Sequence, residues 1–114
     1  MMMRIDMKHI GVALATVLTA SIASAAEYTV EQSNKSFVKD GQKVEQFTIQ
    51  AGDTIHFKNQ DPFFHNIFSL SELKTFDLGS YPAGEFKSVT FEKPGKAEIE
   101  CAIHPEMYME VDIQ

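Results

Sequence analysis

Three residues with sulfur or nitrogen donors stand close together near the end of the 114-residue chain. Cys101, His104 and Met107 follow one another at steps of three residues, and His65 offers a second imidazole upstream. A thiolate, two imidazoles and a thioether suit a metal that is stable as both Cu(I) and Cu(II). Zinc sites rarely include methionine. The donor set therefore predicts a copper site with these four residues as ligands.

Other residues of the same types compete for these positions. Met109 is a second candidate for the weak axial ligand. The rigid ring of Pro105 favours a tight turn before Met107, and we therefore prefer Met107. His56 alternates with apolar neighbours in a strand-like run, so we expect it to face solvent. His9 belongs to the N-terminal leader described below.

Short strand-like runs separated by turn residues make up most of the chain after residue 26. Apolar and polar residues alternate in these runs, as expected for strands with one packed and one solvent-exposed face. Seven strands are predicted, at residues 28–32, 47–49, 55–58, 65–69, 86–91, 97–101 and 107–113. Residues 34–36 are predicted to form a surface loop, and a single helical turn is predicted at Ser71. This pattern is typical of an all-β sandwich.

The alternation also predicts where the cysteine sulfur lies. In the run 97–101, Ala97, Ile99 and Cys101 fall on one side, and two glutamates fall on the other. Since side chains alternate across a strand, Cys101 is expected at the end of the buried face.

The N-terminus has the features of a secretory signal peptide. Charged residues precede an apolar run rich in small residues, and the end of this run permits cleavage after Ala25 or Ala26. We expect residues 1–26 to be the signal peptide and residues 27–114 to form one periplasmic domain without stable membrane insertion. In that oxidising compartment a lone cysteine needs a role such as metal binding.

Charge and motif content argue against several functions. The formal charge of −6 becomes about −7 without the leader, and no arginine remains, which argues against nucleic-acid binding. The sequence has no nucleophile elbow, phosphate-binding loop or paired carboxylates, so it is not expected to be an enzyme. Apolar residues near His104 instead predict a docking surface for a protein partner. They are Pro62, Phe63, Phe64, Pro105 and Tyr108.

Several further residues accompany the four donors in a recognisable order. They are Asn59, His65-Asn66, Thr90-Phe91 and Pro94-Gly95. Together with the donors they resemble the type 1 blue copper proteins, or cupredoxins, of the plastocyanin/azurin family. The ligand spacing is similar to that of the amicyanins. Pseudoazurins place the axial methionine two residues later, where Met109 stands.

The resemblance implies a Greek-key β-sandwich with one type 1 copper ion at one end. It also implies that Asn59 ties the two ligand loops together beside the thiolate. The implied function is a monomeric carrier that shuttles single electrons from a donor dehydrogenase to a c-type cytochrome. The alternative is a periplasmic copper-binding or trafficking protein without a dedicated electron-transfer role. The rate of copper exchange distinguishes them, because a carrier should retain its copper, whereas a trafficking protein should pass it quickly to an apo-acceptor.

Overall fold

The computed structural model describes residues 24–114, which contain ten β-strands and no helix. The strands are β1 (Glu27–Ser33), β2 (Ser36–Lys39), β3 (Gln42–Lys43), β4 (Gln46–Ile49), β5 (Asp53–Asn59), β6 (His65–Ser69), β7 (Phe76–Tyr81), β8 (Phe86–Phe91), β9 (Gly95–Cys101) and β10 (Tyr108–Ile113). The predicted signal peptide lies outside the described residues, apart from positions 24–26. Among residues 24–114 there is no helix of the length and apolarity needed to span a membrane.

Two tight turns build the first two hairpins. Asn34 and Lys35, between β1 and β2, have φ angles of 54° and 57°. Asp40 and Gly41, between β2 and β3, have φ angles of 53° and 80°. Two consecutive residues with positive φ are typical of type I′ turns, whose twist matches that of the flanking strands. The loop predicted at 34–36 is therefore a hairpin turn.

The strands form two five-stranded sheets. The first has the order β3-β2-β1-β5-β8, and the second has the order β4-β10-β9-β6-β7. β1 is parallel to β5 and β4 is parallel to β10, whereas the other paired strands are antiparallel. One apolar core takes side chains from both sheets, among them Val30, Phe57 and Phe91 from the first and Ile67, Ile99 and Val111 from the second.

The all-β sandwich and all seven predicted strands are confirmed. The sequence analysis missed β2, β3 and β7, so the prediction of seven strands was too low. Strand β7 pairs with β6 through an irregular register and contains Gly79 with a φ of 69°, which interrupts the alternation. The prediction of a helical turn at Ser71 is wrong, because the structure has no helix there. Ser71 begins a single hydrogen-bonded turn, in which the Lys74 N–H donates to its carbonyl at 3.0 Å.

Candidate metal centre

Three donor atoms converge where β6 begins and β9 ends. The Sγ atom of Cys101 lies 3.7 Å from Nδ1 of His65 and 3.8 Å from Nδ1 of His104. The two Nδ1 atoms are 3.1 Å apart. Within residues 24–114, these three residues are the one group of His, Cys, Asp or Glu side chains close enough together to hold a metal ion.

The separations fit a metal ion bound between the three atoms. Metal–sulfur and metal–nitrogen bonds of about 2.3 and 2.0 Å, at angles of about 100–120°, place neighbouring donors roughly 3.1–3.8 Å apart. All three observed separations agree with that range. One thiolate with two imidazoles is the trigonal donor set of blue copper sites. The residues therefore fit copper in both geometry and donor chemistry.

His65 is fully buried and held by a carboxylate. Its Nε2 atom lies 2.7 Å from Oδ2 of Asp61, which is also buried. Because a carboxylate accepts hydrogen bonds, this contact favours the hydrogen on Nε2 and leaves the Nδ1 lone pair free for a metal. The hydrogen bond thus selects the tautomer of His65 that ligation through Nδ1 requires.

Asp61 also accepts hydrogen bonds from the β1–β2 turn. The backbone N–H groups of Asn34 and Lys35 donate to Oδ1 and Oδ2 at 2.7 and 3.1 Å. Burial raises the pKa of Asp61, but these two N–H groups and the His65 imidazole lower it by more in total. The net pKa lies below the ordinary value of 3.8, so Asp61 is ionised at neutral pH.

Cys101 ends β9, where its side chain is 2% exposed and forms no disulfide. This position confirms the alternation expected from the sequence, with Ala97 and Ile99 also buried. The next residue, Ala102, donates its N–H to the carbonyl of Asn66 at 2.9 Å. The segment that follows Cys101 is therefore tied to β6 one residue after His65.

The buried side chain of Asn59 makes its hydrogen bonds on the β5–β6 side of the site. Its Nδ2 donates to the carbonyls of Phe63 and Tyr81 at 2.9 and 3.0 Å, and its Oδ1 accepts the Asp61 N–H at 2.9 Å. The expectation that Asn59 ties the two ligand loops together is thus corrected. Its amide bonds with the turn after β5 and with the end of β7, and the backbone hydrogen bond from Ala102 to Asn66 ties the segment after Cys101 to β6.

His104 lies in the loop between β9 and β10 and is partly exposed. The Phe63 ring packs beside both imidazoles, with centroid distances of 5.3 Å to His65 and 5.3 Å to His104. Large apolar side chains of the two ligand loops and the start of β10 are exposed. They are Phe63, Phe64, Ile103 and Tyr108, here called the apolar face. Pro62 and Pro105, also predicted at this surface, are exposed as well.

Met107 and Met109 are both buried. The Met107 N–H donates to the carbonyl of His104 at 2.9 Å, which closes the tight turn that the sequence predicted. Met109 lies within β10, in the apolar core. Both methionines thus lie inside the domain, and Met107 adjoins the ligand loop.

His56 lies in the first sheet and is not one of the three clustered residues. Its Nδ1 is 2.5 Å from Oγ of Ser88, and its Nε2 is 2.6 Å from Oε1 of Glu27. These contacts are exposed, and the ring packs edge-on against Phe86. His56 is thus a surface histidine, as predicted. His9 lies outside the described residues.

Sequence reasoning missed two features of the site. Asp61 was not recognised as a partner of His65, although an acidic residue four positions before a candidate ligand is a usable signal. Ile103 was not assigned to the exposed apolar surface, although it lies beside His104 in the ligand loop.

The fold and the donor cluster define a blue copper protein of the cupredoxin type. In agreement, the profile of the family described as copper binding proteins, plastocyanin/azurin family, matches residues 26–114. The chain belongs to this family, and its cofactor is copper. A comparison with curated protein sequences gave no match.

Solved structures share the fold. A methionine-to-alanine mutant of amicyanin in the Cu(I) form has a TM-score of 0.65 at 19% identity, covering 82% of this chain and 86% of that chain. A reduced tryptophan-to-tyrosine mutant of amicyanin has a TM-score of 0.65 at 20% identity, with the same coverage. A copper-containing nitrite reductase (NirK) from Thermus scotoductus SA-01 has a TM-score of 0.68 at 25% identity, covering 90% of this chain but 26% of that chain.

Proposed function

We propose that the protein is a periplasmic electron carrier with one type 1 copper ion. The proposed equatorial ligands are Nδ1 of His65, Sγ of Cys101 and Nδ1 of His104. The thioether of Met107 is the proposed weak axial ligand, with Met109 as the alternative. When bound, copper supplies a one-electron Cu(II)/Cu(I) couple.

The observation that carries this proposal is the difference between the two imidazoles of one donor cluster. His65 is fully buried and fixed by Asp61, whereas His104 is partly exposed beside the apolar face. A buried, hydrogen-bonded ligand keeps its position between oxidation states, which lowers the reorganisation needed for electron transfer. The exposed edge of His104 gives a partner protein close approach to the site.

The apolar face suits brief docking of a redox partner. Its exposed side chains belong to the two ligand loops and the start of β10, and exposed apolar patches on soluble proteins often mark protein interaction sites. The proposed partners are a donor dehydrogenase and a c-type cytochrome acceptor. The formal charge of −6 favours a basic partner, whose approach would be faster at low ionic strength.

We infer a carrier rather than an enzyme from the number of donors. Three equatorial ligands and one axial ligand leave no open coordination position for a substrate. We also propose that residues 1–26 direct export and that the remaining domain acts as a monomer. This places the site in the compartment where a free buried thiol needs protection from oxidation.

Electron transfer is tested by loading the metal-free protein with Cu(II) and mixing the reduced form with an oxidised c-type cytochrome in a stopped-flow instrument. We expect an intense visible thiolate-to-copper band at one copper per chain, reversible voltammetry and fast oxidation by the cytochrome. Copper should stay bound through repeated cycles. A colourless or redox-silent product would contradict the proposal, and rapid transfer of copper to an apo-acceptor would favour trafficking.

A matched pair of surface variants tests the docking surface. Phe64→Ser removes an apolar side chain that is 54% exposed beside the site, and Leu70→Ser removes one that is 74% exposed after the far end of β6. Both variants should keep the visible band and the reduction potential. Only Phe64→Ser should slow the reaction with the cytochrome. Equal rates for the two variants would exclude the apolar face as the docking surface.

A further inference from the structure

Asp61 is a buried carboxylate that contacts a proposed copper ligand. It is 4% exposed, and its Oδ2 lies 2.7 Å from Nε2 of the fully buried His65. We propose that Asp61 is a positioning residue of the copper site. It holds the His65 ring with Nδ1 directed at the metal, and its negative charge favours Cu(II) over Cu(I). This inference rests on the proposed function, because it requires His65 to bind copper.

Asp61 is itself held in place on several sides. The N–H groups of Asn34 and Lys35 donate to its carboxylate at 2.7 and 3.1 Å, and its own N–H donates to Asn59 at 2.9 Å. Together with Nε2 of His65, the two N–H groups surround the carboxylate with three donors, so it cannot move without losing a hydrogen bond. The His65 ring is therefore fixed against a rigid acceptor, as metal-ligating histidines commonly are.

The charge of Asp61 is directed at the imidazole. Within residues 24–114 no lysine lies within ion-pair distance of Asp61, and the side chain that its carboxylate contacts is the His65 imidazole. The low exposure of both groups reduces screening by water and salt. A nearby negative charge stabilises the more positive metal state, so Asp61 is expected to stabilise Cu(II) and to lower the reduction potential.

The same carboxylate joins the copper site to the β1–β2 turn. That turn carries Lys35, whose Nζ lies 5.7 Å from the centroid of the Phe63 ring. Phe63 in turn packs beside His65 and His104. A change at Asp61 therefore loosens a hairpin as well as a ligand, and a useful experiment must separate these two effects.

Asp53 provides the matched control for the structural effect. It is 3% exposed and accepts the N–H groups of Ala26 and Gln50, both at 2.8 Å, without contacting a histidine. Asp61→Asn and Asp53→Asn should both lower the melting temperature. Only Asp61→Asn should raise the Cu(I):Cu(II) ratio at a fixed potential, by about tenfold, which corresponds to about 59 mV for one electron. Asp61→Glu keeps the negative charge, so its Cu(I):Cu(II) ratio should lie close to that of the wild-type protein.

A second measurement does not require copper. Nitrogen NMR of the imidazoles in the metal-free protein should show His65 with its hydrogen on Nε2, and Asp61→Ala should lose this preference. The proposal is overturned if Asp61→Asn leaves the potential unchanged, if Asp53→Asn shifts it equally, or if wild-type His65 carries the hydrogen on Nδ1. A wild-type protein that forms no blue copper site would instead refute the proposed function, whereas NMR would still show whether Asp61 fixes the ring.

Discussion

Replacing each methionine separately by leucine tests which one is the axial ligand. In the β9–β10 ladder Met109 lies opposite Ile99. If the same register continues for two residues towards the β9–β10 loop, Met107 lies opposite Cys101. Side chains directly opposite each other in an antiparallel pair have Cβ atoms about 4.5–5.5 Å apart. Met109 is two residues further along β10, a displacement of about 7 Å. We therefore expect Met107, and not Met109, to reach a metal held by Cys101.

The two substitutions are closely matched in their structural cost. Met107 and Met109 are 1% and 0% exposed, and leucine keeps the volume and the burial while removing the sulfur. Volume-conserving swaps in a core usually cost less than about 1.5 kcal/mol. The free energy of unfolding of each metal-free variant, measured in urea, should therefore stay within about 1.5 kcal/mol of the wild-type value.

The copper-loaded variants should differ. Met107→Leu should raise the reduction potential, because loss of the weak thioether leaves a three-coordinate site that favours Cu(I). A tenfold change in the Cu(I):Cu(II) ratio corresponds to about 59 mV, which voltammetry resolves easily. Met109→Leu should leave the potential and the visible band unchanged. The opposite pattern would assign the axial position to Met109, and unchanged potentials in both variants would refute axial ligation by either methionine.

Three further predictions concern other parts of the domain. Gly95 has a φ of 137°, and an added Cβ would lie 2.7 Å from a leucine methyl group. Gly95→Ala should therefore lower the free energy of unfolding by about 1–3 kcal/mol, and an unchanged urea midpoint would contradict this. The hydrogen bond to Glu98 raises the pKa of Tyr108 from 10.0 to about 12, so it stabilises the fold below pH 10.0 and is lost as pH rises through about 12. An ultraviolet titration of Glu98→Gln should show one tyrosine titrating earlier than in the wild type. The Ala26 N–H donates to Asp53 at 2.8 Å, and cleavage after residue 25 would keep this contact with the new amino group. N-terminal sequencing of the exported protein should find a start at Ala26 or Glu27, the two starts that the predicted cleavage points allow, and a start further along the chain would contradict this.

The ligand residues and most strands were predictable because their signals are local. Cys101, His104 and Met107 lie within seven positions, and their residue types suit few metals other than copper. Alternation over five residues was sufficient to place Cys101 on the buried face. The strands β2 and β3 were missed because they are short, and because the sequence analysis predicted a loop at 34–36, where a tight turn leads into β2.

The anchoring of Asp61 by the β1–β2 turn was not predictable in the same way. Its partners Asn34 and Lys35 lie 27 and 26 residues away along the chain, and they donate backbone N–H groups that any non-proline residue carries. The residue types do not indicate that the β1–β2 turn packs on the β5–β6 loop. The bonding of Asn59 was mispredicted for a related reason, since the choice among nearby carbonyl acceptors depends on loop conformation.

X-ray absorption at the copper edge tests the central claim most directly. For the oxidised wild-type protein we predict one copper–sulfur distance shorter than the roughly 2.3 Å of zinc–thiolate bonds and two copper–nitrogen distances of about 2.0 Å. Cys101→Ser should lose the short sulfur and the visible band together. A wild-type spectrum with only nitrogen and oxygen neighbours, or a short sulfur distance that survives in Cys101→Ser, would contradict the assignment of Cys101, His65 and His104 as the ligands.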